Sequence, residues 1–262
     1  MYRDARSDTT SSLPVFSGLT HLEYLLVLGV AGVAGTLSGI IGTGSSLLLM
    51  PVLVLLYGPW QAVPIMAIAA VMGNVGKVLA WRRVVDWRAC AAYGATAAPG
   101  AAIGAASLLV IPQRIVELAL GVFFLAMIPL RRWLAHKAWH FTPTHLALIG
   151  GPVGFLTGIV VSTGPITVPI FLAYGLVKGG LLATEAAGSL LVYGVKVTVF
   201  RRFGALPASI ILKGLMAGSA LMTGSFLARY VVVRLTTDAF RLLVDGLMLA
   251  SGLSLLWAAL LR

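Results

Sequence analysis

The strongest constraint on this chain is a set of apolar runs too long and too sparsely charged to be covered by water. Leu25 to Ile41, Ala89 to Ile111, Ile115 to Leu130 and Phe240 to Leu261 hold almost no charge and approach the ~20 residues a membrane-spanning helix needs. Only 10% of the 262 residues are charged, against roughly a quarter in a soluble domain, so the outer surface must face lipid. The runs are rich in Gly, Ala and Leu without alternating polarity, which points to helices and not to the strands of an outer-membrane barrel. The net charge of +11 invites a nucleic-acid reading, but the basic residues sit between the runs. They cluster at Arg82, Arg83 and Arg88, at Arg131, Arg132 and Lys137, and at Arg201 and Arg202. Such clusters flank membrane helices, and no nucleic-acid partner is expected. The single cysteine, Cys90, excludes an internal disulfide and a cysteine metal cluster. His21, His136, His140 and His145 fall in the polar start or the central basic loop, so no metal and no cofactor are expected. Met1 to Thr20 is polar, carries no signal-peptide pattern and reads as a short tail.

The second constraint is duplication. At an offset of 119 residues, Gly32, Gly35, Leu37, Gly39 and Ile40 meet Gly151, Gly154, Leu156, Gly158 and Ile159. At the same offset Lys77, Arg82 and Arg83 meet Lys196, Arg201 and Arg202 (196 − 77 and 201 − 82). A lysine followed five residues later by a dibasic pair, recurring within intact glycine frames, is hard to obtain by chance. The implied organisation is a polar tail 1–21, a membrane repeat 22–134, a basic connecting loop 135–143 and a second repeat 144–262. Each copy divides into five apolar pieces, near 22–42, 45–57, 61–81, 89–111 and 114–134, and near 144–161, 165–176, 181–200, 206–230 and 238–261.

The first two pieces of each copy cannot form one helix. His21 to Tyr57 would run about 54 Å at ~1.5 Å per residue, against a hydrocarbon core of ~30 Å. The chain must fold back at Gly42-Thr43-Gly44-Ser45-Ser46, and in the second copy at Ser162-Thr163-Gly164-Pro165. Whether that pair spans or is re-entrant, each repeat crosses an odd number of times. Tandem odd repeats face opposite ways, so the expected fold is an all-α integral membrane protein of two inverted repeats, each opened by a broken helix pair.

Two broken-helix turns at equivalent positions also point to a site. Non-helical backbone at membrane depth leaves polar groups that protein, water or ligand must satisfy. Glycine permits the turn, and free N–H groups at the following helix start favour an anion. Ser45, Ser46, Ser162 and Thr163 add hydroxyls. Lys77 and Lys196 lie within apolar segments, where a cation is costly unless it pairs. Both are expected to contact an anionic substrate, with Asn74 and Tyr193, three residues earlier, as further donors. The competing reading has the lysines snorkel and the hydroxyls cap local backbone. Glu117, Glu185 and Asp245 are the carboxylates within apolar segments; a proton-coupled carrier uses such groups, but the simpler reading pairs Asp245 with Arg241 on one helix face and puts Glu185 near a segment start.

Gly35-Thr36-Leu37-Ser38-Gly39-Ile40-Ile41-Gly42-Thr43-Gly44, followed by Leu47-Leu48-Leu49-Met50-Pro51-Val52-Leu53, resembles the glycine-rich opening of the TauE/SafE family of sulfite exporters. Gly154-Phe155-Leu156-Thr157-Gly158 through Val168-Pro169-Ile170-Phe171-Leu172 is similar. The family's basic-aromatic stretch is echoed by Trp81-Arg82-Arg83-Val84-Val85-Asp86-Trp87-Arg88 and by Phe200-Arg201-Arg202-Phe203-Gly204-Ala205-Leu206-Pro207. The resemblance implies transport of small sulfur-containing anions such as sulfite or organosulfonates. The family's glycine run after the first turn reads here Gly44-Ser45-Ser46, and in the second copy Gly164-Pro165, which leaves the particular anion open.

An enzyme is not expected, because no histidine lies in an apolar segment to activate Ser45 or Ser46. An anion channel and a non-transporting assembly or chaperone subunit are the alternatives to a secondary carrier. The expected partners are a small anion and the lipid bilayer of the cell membrane, with proton or ion coupling and a homo-oligomer left open.

Overall fold

A computed structural model describes residues 21–42, 45–135, 140–159 and 164–228, together with 245–246, 249, 252–253, 255–257 and 259–260 of the last apolar run. The described residues are helical and contain no strand. In chain order the helices are α1 (His21–Ile41), α2 (Ser45–Trp81), α3 (Trp87–Val110), α4 (Gln113–Ala135), α5 (Pro143–Ile159), α6 (Gly164–Ala173), α7 (Lys178–Arg202) and α8 (Ala208–Leu227). Among the described residues α1, α2, α3, α7 and α8 are long and apolar enough to cross a membrane. The chain is a multi-pass membrane protein.

The helix breaks fall where length required them. α1 stops at Ile41, and Gly42 follows with φ 90°, its N–H still donating to the Ser38 carbonyl at 2.9 Å. That left-handed conformation is open to glycine at little steric cost. α5 stops at Ile159 and α6 starts at Gly164. A second break divides α2. Gly58 has φ 73° and ψ 162°, and the following Pro59 removes a donor and excludes its predecessor from helical geometry. Gly175, with φ 101°, ends the turn after α6 in the same way. The short helices 45–57 and 164–173 are therefore separate from the long ones that follow.

Burial sorts the spans into centre and rim. In α2 and α7, 61% and 56% of the span is buried, against 39% in α1, α3 and α8. α2 and α7 lie side by side at the centre. α8 packs on α1 and α2, and α3 packs on α5 and α7. The fourth piece of each half thus packs on the first and third pieces of the other.

These crossings are close because their faces carry glycine. Space for a Cβ at Gly35 is taken by the Leu221 backbone, at Gly39 by Ser225 and Ala228, and at Gly224 by the Gly32 carbonyl. At the other crossing Gly154 meets Ala97, Gly158 meets Ala101, and Gly100 meets the Gly151 carbonyl. The pairs correspond one to one. Their α1 and α5 members are 119 residues apart, and their α8 and α3 members 124 (221 − 97, 225 − 101 and 224 − 100). Side-chain hydrogen bonds join each crossing, Ser225 Oγ to the Gly35 carbonyl at 3.1 Å and Thr96 Oγ1 to the Ala147 carbonyl at 2.6 Å. Small residues that admit close backbone approach are what hold membrane helices together where lipid removes the hydrophobic drive.

The substitution Gly154→Ala places a methyl against the Ala97 backbone and should cost about 1–3 kcal/mol or more through forced separation of the helices. Gly29 has nothing within 4 Å of such a methyl, so Gly29→Ala should be neutral or slightly stabilising. Thermal unfolding of the detergent-purified variants checks this, and equal midpoints would show that the α3–α5 crossing tolerates expansion.

Candidate functional site

Between the two halves lies a small cavity lined mainly by polar groups. Ser38 of α1 and Thr157 of α5 border it, as do Ser45 of α2 and Gly164 of α6, Ala70 of α2 and Ser189 of α7, and Asn74 and Tyr193 of the same two helices. Each of these four pairs is separated by 119 residues (157 − 38, 164 − 45, 189 − 70 and 193 − 74). Four positions of the wall are thus supplied by both halves. Gly42, Ser46, Lys77, Tyr93, Glu185 and Val192 complete its wall.

The wall suits an anion. The first turns of α2 and α6 border the cavity, and the opening N–H groups of a helix have no partner within it. Ser38 is 1% exposed and its Oγ finds no partner among the described residues. A buried hydroxyl left unpaired costs about 1–3 kcal/mol, so a ligand oxygen here would be stabilising.

The charged groups are arranged asymmetrically. Lys77 Nζ lies 3.5 Å from Glu185 Oε2, with both side chains buried. Glu185 Oε1 accepts from Thr167 Oγ1 at 3.0 Å and from Ser189 Oγ at 2.9 Å. An ionised carboxylate is acceptor-only and can take all three donors, so Glu185 ties α2, α6 and α7 together. Lys196 is fully buried and donates to the Thr157 carbonyl at 2.7 Å, its Nζ 5.6 Å from the Phe200 ring centroid. Among the described residues no carboxylate is within ion-pair distance of it. Thr157 lies in the last turn of α5, where carbonyls lack helical partners and the dipole favours a cation. Lys196 therefore caps the broken helix.

Of the residues singled out in the sequence, Gly42, Ser45, Ser46, Asn74, Lys77, Gly164 and Tyr193 come together at the cavity. Lys196 stands behind it, on the end of α5. Thr43, Gly44, Ser162 and Thr163 lie outside the described residues. Sequence reasoning missed Ser38, Thr157, Thr167 and Ser189, and read Glu185 as lying near a segment start. A signal did exist for Ser38 and Thr157, hydroxyls that meet at the 119-residue offset immediately before the matched Gly39 and Gly158.

A helical bundle long and apolar enough to cross a membrane, with a buried polar cavity, defines a multi-pass membrane protein. The sequence model of one family, Sulfite exporter TauE/SafE, matches residues 27–255, and the chain belongs to that family. Its members are membrane transporters of the sulfite and sulfur-anion exporter type, so a small anionic substrate follows. No curated protein and no solved structure matches the chain.

Breaking the buried ion pair from one side should be far worse than removing it. Lys77→Met leaves the Glu185 carboxylate uncompensated and should cost about 3–5 kcal/mol. The double substitution Lys77→Met/Glu185→Gln should recover most of that loss, because neither buried charge remains. Unfolding midpoints of wild type, both single variants and the double variant measure the coupling, and additive losses would show that the two groups do not interact.

Proposed function

We propose that the chain is a secondary carrier of small sulfur-containing anions (sulfite, an organosulfonate or a related oxyanion) in the cell membrane, binding them in the cavity between two inverted halves, 22–134 and 144–262. The observation that carries this reading is the pairing of the cavity wall at one constant separation, with a cation and two helix starts on it. A two-fold relation between inverted halves exchanges their elements, and the reciprocal packing of α1 on α8 and α5 on α3 is what such a relation requires. α6, with ten residues, is about 15 Å long at ~1.5 Å per residue, half of the ~30 Å hydrocarbon core. Each broken pair then enters and returns, leaving its turn and the next helix start at the depth of the cavity.

In this reading Lys77 is the cation that meets the anion. Ser38, Ser46, Asn74 and Tyr193 supply neutral donors, and Thr43, Gly44, Ser162 and Thr163 are proposed as further contacts. Lys196 acts through the end of α5, which it holds in place beside the site. The family supplies the sulfur chemistry of the substrate, and a tetrahedral or pyramidal oxyanion matches a wall whose donors come from several sides.

Purified protein in liposomes should take up labelled sulfite saturably, and faster when the vesicles are preloaded with unlabelled sulfite. Such acceleration marks a carrier, whereas a channel shows none. A hydrogen bond to a charged group contributes roughly 1.5–3 kcal/mol, so Lys77→Met should weaken sulfite binding about ten- to a hundredfold at ~1.4 kcal/mol per decade. Wild-type affinity in that variant would remove the anion from this cavity.

A further inference from the structure

The ion pair that seals Lys77 has a consequence for what travels with the anion. Among the described residues the one cation on the cavity wall is engaged by Glu185 at 3.5 Å. An incoming anion meets a neutral pair, and two negative charges must then share one ammonium in a buried, low-dielectric space. Such an arrangement drives a proton onto one of the anionic groups, as in paired carboxylates. Glu185 is placed to take it. Its Oε2 is the oxygen facing Lys77, while Oε1 is fixed by Thr167 and Ser189, so the carboxyl group stays in place when the ammonium turns to the anion.

The groups around Glu185 leave it as the proton's destination. It is met by Lys77 of α2, the Thr167 hydroxyl of α6 and Ser189 of its own helix, and the same cavity wall carries Asn74 of α2, Tyr93 of α3 and Tyr193 of α7. From α5 the wall contributes Thr157, whose carbonyl holds Lys196. The Lys196 Nζ is committed to that helix end and does not line the cavity.

We propose that Glu185 is the coupling residue of this transporter: anion binding at Lys77 displaces the Glu185 carboxylate, which takes up one proton from bulk water, so that anion and proton move together. This rests on the transport reading above. The balance is simple, since one carboxylate oxygen gains one proton and no bond in the substrate is made or broken. On release the anion leaves, the proton returns to water, and Glu185 re-forms its pair with Lys77.

The test uses methanesulfonate, whose single charge does not change across the neutral range, beside sulfite. If binding takes up one proton, the apparent dissociation constant of wild type for methanesulfonate rises about tenfold per pH unit, and each anion entering a liposome is accompanied by one proton read by an internal pH dye. Glu185→Gln should bind with a slope near zero, and at alkaline pH more tightly than wild type, because Lys77 is no longer engaged. A purely structural role predicts weaker binding at every pH. Thr167→Val, which removes the hydroxyl that holds Oε1, should change the pH profile of binding. Transport by wild type without proton movement, a slope that survives in Glu185→Gln, or an unmoved profile in Thr167→Val overturns the coupling while leaving the carrier intact. Failure of wild type to move either anion overturns both readings.

Discussion

Everything at the centre of this molecule depends on how one carboxylate is satisfied away from water. Glu185 draws a lysine from α2, a threonine from α6 and a serine from its own helix α7 onto two oxygens. Without those donors the charge would be prohibitive at membrane depth. With them, the short helix α6 is anchored to the long helices, and the start of α6 is held against the cavity. Lys196 performs the matching task for α5, where a buried ammonium meets the carbonyl end of an interrupted helix. The two lysines occupy equivalent sequence positions yet answer different needs, one a carboxylate and the other a helix terminus.

Around that centre the architecture is interleaved. Because α8 lies on α1 and α3 lies on α5, neither half closes on itself. The glycine faces permit this at backbone distance, and the cavity wall inherits the arrangement, taking its residues in pairs from the two halves. The paired positions are equivalent in place but not in chemistry: Ser38 and Thr157 both carry a hydroxyl, while Ser45 is matched by Gly164, Ala70 by Ser189 and Asn74 by Tyr193.

Much of this was legible in the sequence because the governing signals are local. A run too long for the bilayer has to break, and glycine or glycine-proline marks where, as at Gly42 and at Gly58-Pro59. Charge placement and the 119-residue offset are equally direct. The partners of the lysines were not legible, since Lys77 and Glu185 are 108 residues apart and nothing in periodicity joins them. Nor was the position of Lys196, whose partner is a backbone carbonyl that every residue carries. Ser38 was passed over because a serine in an apolar helix usually bonds to its own backbone, and only burial reveals that this one does not. The five-residue difference between the two crossings was hidden for another reason. It concerns which turn of a helix meets its neighbour, and the apolar pattern is blind to that.

The interleaving also sets an order of events during synthesis. Gly154 and its partner Ala97 are 57 residues apart (154 − 97), so α3 and α5 meet soon after both have left the ribosome. Gly35 waits for Leu221, 186 residues later (221 − 35), which at ~5–20 residues per second is roughly 10–40 s. For that interval the most closely packed face of α1 has lipid, or an insertion factor, in place of its partner. α1 is thus among the last of these helices to find its place, which it does only on the arrival of α8.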